Sequence, residues 1–321
     1  MSLSSGRTGQ DDTASWPVRP VGNTVRDERE AQTFWIDAIC VDQQNLKERS
    51  PQVQRKCDVF TSAKRVIVWL GHPALDSSLA LRELELLSSK VALDENGEFL
   101  ALSQSIEDLY WTNPREALPW DSRTWRAVRY LFIRPWFRRL WIWQEIAVAR
   151  RDARMILGYD SISWSSFRAA VRCLLRKELT LPFELSVSLR YVTQIAMLEP
   201  NNSLFEMLCH SINSHCLDPR DRIYALLGIV SGWEMELGIV PNYTASVRDV
   251  YIDFAVRYMK TGDSLQLMHL CGLRELQAGW PTWVPNRLAS ADLTVTSHCV
   301  PGRRTPCYAT YVRDGILEVI G

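Results

Sequence analysis

The chain has 321 residues, 46% of them apolar, and a formal charge of zero. That apolar share is enough for a packed core, and the balanced charge gives the whole molecule no electrostatic case for nucleic acid or an anionic membrane surface. Eight cysteines lie scattered without a repeated spacing, no apolar leader follows Met1, and no apolar run nears the ~20 residues that span a bilayer, so the expectation is a soluble, cytoplasmic protein with reduced thiols.

Residues 1–33 are rich in Ser, Gly, Thr, Asp and Arg without a periodic apolar pattern, and read as disordered or loosely attached. The stretch FWIDAIC, Phe34–Cys40, is a short apolar run with the residue types of a buried strand, broken by Asp37, whose charge requires a partner or a polar crevice at the strand end. After a polar loop, Ser50 and Pro51 form a helix-start signal. Val53, Cys57 and Phe60 then mark one buried helix face. RVIVWLG, Arg65–Gly71, gives a second strand, so strand, helix and strand in Phe34–Gly71 predict a right-handed βαβ crossover and a parallel sheet. Ligands of such sheets bind beyond the carboxyl ends of the strands, which places Asp37, Asp42 and Gln43 on a candidate polar rim. The bland alternative for these three is internal bonding, with Asp42 shaping its turn.

From Asp76, SSLALRELELLSS predicts a helix packed on the sheet through Leu79, Leu84 and Leu87, followed by a polar insert, Leu93–Gln104. Thr124–Phe132 reads as a helix. In RPWFRRLWIWQEIAVAR, the spacing of Leu140, Trp143 and Ala147 predicts a helix starting near Trp136 and bringing Trp141 and Glu145 onto one face. A carboxylate beside an indole is partly desolvated. The alternative is a surface ion pair of Glu145 with Arg139 or Arg150. Ala153–Gly158 predicts another strand, and Trp164–Arg176 an amphipathic helix capped by Ser163 or Ser165.

Beyond Thr180 the pattern is mostly helical. In HCLDPRDRIYALLGI, Asp218 reads as an N-cap with Pro219 at the first helical position, Asp221 at the third, and Gly228 at the end. Ser246 and Asp249 repeat the start signal ahead of a stripe from Val247 to Tyr258, and GILEVIG closes the chain as a strand.

FWIDAICVDQQNLKERSPQVQRKCDVFTSAKRVIVWLG, RPWFRRLWIWQEIAVA, DPRDRIYALLGI and TWVPN, in this order, resemble the blocks of the fungal heterokaryon-incompatibility (HET) domain and the segment that follows it. Proteins of that family take part in non-self recognition between fused fungal cells, where the domain triggers programmed cell death. The family also resembles the Toll/interleukin receptor (TIR) fold, so the resemblance implies a TIR/flavodoxin-like α/β fold: a parallel sheet flanked by helices over residues 34–178, followed by an α-rich C-terminal region over 179–321. The family's usual opening block, similar to Ala-Leu-Ser-Tyr-x-Trp-Gly, has no counterpart in residues 1–33. A first strand is therefore expected to be missing, and the C-terminal region is expected to be cut at its end.

Some TIR domains cleave NAD with a glutamate four residues after a tryptophan. The resemblance thus implies a catalytic role for Glu145, and a cofactor-binding crevice lined by Asp37, Asp42, Gln43 and Trp141, with NAD as substrate and no firmly implied cofactor. The reading from another class is a non-enzymatic module that associates with itself or with another incompatibility protein, and a third is an inactive family member. Nine arginines and five tryptophans between Trp120 and Arg154 have the composition of a nucleic-acid stacking groove, but tryptophans at helical spacing are more often core, and no nucleic-acid or membrane partner is expected. Cys209, His210, His215 and Cys216 are adjacent pairs without the ligand gaps of a zinc site, so no metal is expected.

Overall fold

The computed structural model describes residues 33–74, 76–93, 99–101, 111, 113–149, 153–199, 202–262, 265–271, 280–285, 308–312 and 316–320. The segment 1–32 and most of the polar insert after Leu93 lie outside the described residues. The architecture is mixed α/β, mostly helical, around one three-stranded sheet.

The expected strand at Phe34–Cys40 is instead an extended entry ending in one helical turn, α1 (Asp37–Cys40). Among the described residues no ladder partner lies beside it. Asp37 accepts the amide of Ala38 at 2.8 Å, as a carboxylate at a helix start does, Ile39 and Cys40 are exposed, and Trp35 packs edge-on against Phe60 at 5.8 Å. The βαβ crossover expected over Phe34–Gly71 is therefore not formed. The helix that follows, α2 (Leu46–Ser62), starts one turn before Ser50. Asn45 is its cap, its side chain accepting the amides of Lys47 and Glu48 at 3.2 and 3.3 Å. Pro51 thus sits inside the helix, and the Ser50 hydroxyl donates back to the Leu46 carbonyl at 3.0 Å.

Strand β1 (Ile67–Trp69) pairs in parallel with a strand far along the chain. Between them come α3 (Ser77–Lys90), the short antiparallel pair β2 (Val91–Leu93) and β3 (Phe99–Ala101), and α4 (Ser122–Phe132). In α3 the buried stripe is Leu81, Leu84 and Leu87, while Asp76 ahead of it makes no cap and pairs with Arg123. In α4 Asp121 caps by accepting the Thr124 amide at 2.8 Å, and Val128, Leu131 and Phe132 are buried.

The single helix expected from Trp136 is split. Pro135–Arg138 is a tight 3₁₀ turn, Arg139 and Leu140 are pulled straight by His215, whose carbonyl accepts the Leu140 amide at 2.9 Å, and α5 (Ile142–Ala147) follows with Trp141 at its N-cap. Trp136 and Trp143 are core residues, and Trp120 packs against Trp125 at 4.8 Å, so these rings are not an open stacking groove.

The partner of β1 is β4 (Arg154–Leu157), in register Ile67↔Arg154, Val68↔Met155 and Trp69↔Ile156. Then β5 (Asp160–Ser163) folds back antiparallel to it. The turn needs Gly158, at φ +61° with a Cβ position 2.7 Å from Pro73. Ser163 caps α6 (Trp164–Arg176), and α7 (Phe183–Ala196) and α8 (Leu204–His210) follow. The α-helix expected from Pro219 is α9 (Asp221–Leu227), beginning two residues later. Asp218 instead closes the preceding turn by accepting the Arg220 amide at 3.0 Å. The chain continues through α10 (Val247–Gly262), with Tyr251, Phe254 and Tyr258 buried, to an antiparallel pair, β6 (Tyr308–Val312) and β7 (Ile316–Ile320). Among the described residues no disulfide joins the cysteines, and no helix is long and apolar enough to cross a membrane.

Candidate functional site

The site begins with a lysine on the wrong face. Lys56 occupies the apolar stripe of α2 between Val53 and Phe60 and is 5% exposed. A buried ammonium costs several kcal/mol to desolvate unless charges meet it. Here two do: its Nζ donates to Glu145 Oε1 at 3.2 Å and to Asp37 Oδ2 at 3.4 Å, and it lies 4.4 Å from the centre of the Trp141 ring, a cation–π distance. The helical turn at Asp37, the stripe of α2 and the first turn of α5 are thus joined by one ammonium group.

Beside this knot is a hollow of about 50 Å³, walled by Trp35, Asp37, Val41, Gln43, Arg49, Gln52, Val53, Lys56 and Trp141. It has room for a few water molecules. Of the residues singled out from the sequence, Asp37, Gln43 and Trp141 meet here. Gln43 donates its side-chain amide to the Asp37 carbonyl at 3.2 Å. Asp42 does not reach the hollow: its carboxylate accepts the Gln44 amide at 3.0 Å and shapes the turn, which is the bland alternative for this residue. Glu145 is buried behind Lys56, 9% exposed, and pairs with that lysine; Arg150, named as an alternative partner, lies outside the described residues. The carboxylate and indole four residues apart do share one turn, since the Glu145 amide donates to the Trp141 carbonyl at 3.3 Å.

A second polar knot backs the hollow and was not anticipated. Asp221, 3% exposed at the start of α9, accepts the Trp141 indole Nε1–H at 3.2 Å, the Arg49 guanidinium at 3.3 Å and the Tyr243 hydroxyl. Arg49 also lies 3.8 Å over the Tyr243 ring and 3.6 Å from Asp218, which holds Arg220 in turn. Burial pushes the Asp221 carboxyl above its ordinary range, against the lowering pull of Tyr243 and Arg49. Burial and the neighbouring Asp221 push the Tyr243 phenol well up. For Asp218 burial also acts upward, but the hydrogen bonds from Arg220 outweigh it and hold the carboxyl below its usual range. Among the described residues the charges balance in this second knot, two guanidinium groups against two carboxylates, whereas Lys56 is the one cation paired with Asp37 and Glu145.

Two signals in the sequence pointed here. Lys56 falls on the apolar stripe, where a cation requires a buried anion, and Asp221 sits where a helix-start carboxylate is also followed by an apolar run. Neither signal names the partner, because Arg49, Trp141 and Tyr243 come from distant parts of the chain.

The fold and site define a mixed α/β domain in which a buried lysine ties two carboxylates beside a small tryptophan-lined hollow. Residues 20–145 match the family model for heterokaryon incompatibility protein (HET). The chain is also 29% identical over 266 residues to heterokaryon incompatibility protein 6, OR allele, of Neurospora crassa, an alignment that covers 69% of this chain and 38% of that protein. Residues 20–145 are thus similar to a heterokaryon-incompatibility domain, and the chain spans less than two fifths of the length of that curated relative. No solved structure matches it.

Proposed function

We propose that this protein acts in heterokaryon incompatibility, the non-self recognition between fused fungal cells that ends in cell death. The observation that carries this reading is the HET domain over residues 20–145, with the similarity to a named incompatibility protein running over 69% of the chain. In this reading the domain is a TIR-like one. The parallel register of β1 and β4 supports that part.

The chemistry proposed is cleavage of the bond between nicotinamide and ribose in NAD. When that C–N bond breaks, its electron pair leaves with the neutral nicotinamide, and positive charge is left on the ribose. Water then adds at the ribose carbon and loses a proton. A carboxylate close to the ribose hydroxyls stabilises the positive ribose, and Glu145 is the group assigned to this role. Trp141 supplies an apolar wall, and Asp37 and Gln43 the polar rim. A hollow of about 50 Å³ is too small for a dinucleotide, so cleavage requires Lys56 to leave Glu145 and the loop carrying Gln43 to move. The test is release of nicotinamide from NAD by the purified chain: release that disappears in Glu145→Gln supports the assignment, and equal release by both proteins removes Glu145 from the chemistry.

The ion pair itself favours a second reading. Glu145 is occupied by Lys56, which is the arrangement expected if the pair holds α2 to α5 and the domain signals by assembling with itself or with another incompatibility protein. Concentration-dependent light scattering without nicotinamide release is the result this reading predicts.

A further inference from the structure

Helix α9 lies outside the residues that match the HET model, yet it touches both walls of the hollow. At its first residue, Asp221 accepts the Trp141 indole N–H at 3.2 Å and the Arg49 guanidinium at 3.3 Å, and both of these side chains line the hollow. Just past its last turn, the Gly228 carbonyl accepts the Cys57 thiol at 3.0 Å, and a Cβ on Gly228 would stand 1.9 Å from the Gln144 side-chain amide. Its two ends therefore rest on the helix that carries Lys56 and the helix that carries Glu145. The Asp221 carboxylate is 3% exposed, so its acceptors are not shared with bulk water, and a hydrogen bond to an ionised acceptor in such surroundings fixes direction as well as distance.

We infer that Asp221 is a positioning residue of this site: its carboxylate sets the plane of the Trp141 indole and the reach of Arg49, so that the segment downstream of the HET match completes the hollow. This rests on the reading that the hollow is the functional site, but the orientation of Trp141 can be read without any activity. The carboxylate of a merely structural helix start would serve the amides of its own first turn. Asp221 instead spends its oxygens on three side chains from elsewhere in the chain.

The experiment uses the full chain labelled with ¹⁵N-tryptophan, in which the Trp141 indole signal is assigned by its loss in Trp141→Phe. Asp221→Asn replaces the charged acceptor by a weaker neutral one, and Asp221→Leu removes it. The expected result is an upfield shift of the Trp141 indole proton in Asp221→Asn and a larger one in Asp221→Leu. Cell death on expression in a fungal host should be reduced in the same order. Asp253→Asn, which breaks an exposed ion pair with Arg257 on α10, is expected to leave both readouts unchanged. If Asp221→Leu does not fold, Asp221→Asn decides alone. An unmoved Trp141 signal in the folded variant overturns the inference, and so does a moved signal with undiminished cell death. A wild-type chain that never causes cell death overturns the proposed function instead, because the indole shift still reports the positioning.

Discussion

Lys56 is the residue on which the site turns. With 7% of its side chain exposed and 12% of that of Glu145, the pair is withdrawn from water; removing Lys56 leaves Glu145 buried without this cation, whereas removing Glu145 leaves Lys56 with Asp37. Lys56→Met is expected to lower stability by about 3–5 kcal/mol and Glu145→Gln by less, because Asp37 still meets the lysine, with the double variant losing clearly less than the sum. Urea unfolding of the four proteins measures that coupling. Strictly additive losses would show that the two side chains do not depend on each other. Asp221 makes a separate prediction in pH. Its carboxyl is raised by burial, facing Arg49, Tyr243 and Trp141, with Asp218 close by. The folded chain therefore keeps a proton that the unfolded chain has already released. The stability linked to it is fully present below the unfolded value, about pH 4, and is lost as pH rises through the folded value of Asp221. Asp221→Asn is expected to flatten that part of the stability profile, measured by thermal unfolding from acid to neutral pH.

At the scale of the element, the close seat of α9 makes Gly228 and Gly232 a useful pair. A Cβ at Gly228 would meet Gln144 at 1.9 Å and Cys57 at 2.8 Å, whereas Gly232, at φ +61°, has nothing within 4 Å of its Cβ position. Gly232→Ala should cost about 1 kcal/mol from the left-handed backbone alone, and Gly228→Ala about 1–3 kcal/mol from overpacking, with a shift of the Cys57 and Gln144 signals that Gly232→Ala does not cause. Helices with strong apolar periods, α3, α4, α6 and α10, were legible in the sequence within a few residues, because burial of one face decides both the period and the packing. Phe34–Cys40 differs from the expected strand for a physical reason: an apolar run does not specify a strand unless another strand is there to pair with it, and Asp37 at the fourth position of the run favours a helical turn. The split at Arg139 and Leu140 was equally hidden, since the bonds that straighten it come from His215. Asp37, Gln43 and Trp141 were nonetheless brought to one hollow, although by a turn, a loop and a helix start rather than by a strand end.

Across the whole molecule, the HET match stops at Glu145 while the structure around it does not. The partner of β1 is β4, at Arg154–Leu157, and the helix that backs Trp141 and Arg49 begins at Asp221. Residues 20–145 expressed alone are therefore expected to lack a cooperative unfolding transition, while the full chain has one. Calorimetry of the two makes the comparison, and a sharp transition in the short piece would contradict the dependence on β4 and α9. In the proposed function, incompatibility runs through the carboxylate tied to Lys56. Its most direct measurement is the survival of fungal cells expressing the full chain or Glu145→Gln at matched protein levels. Death with the first and survival with the second is the expected result, and equal death with both would remove Glu145 from the function.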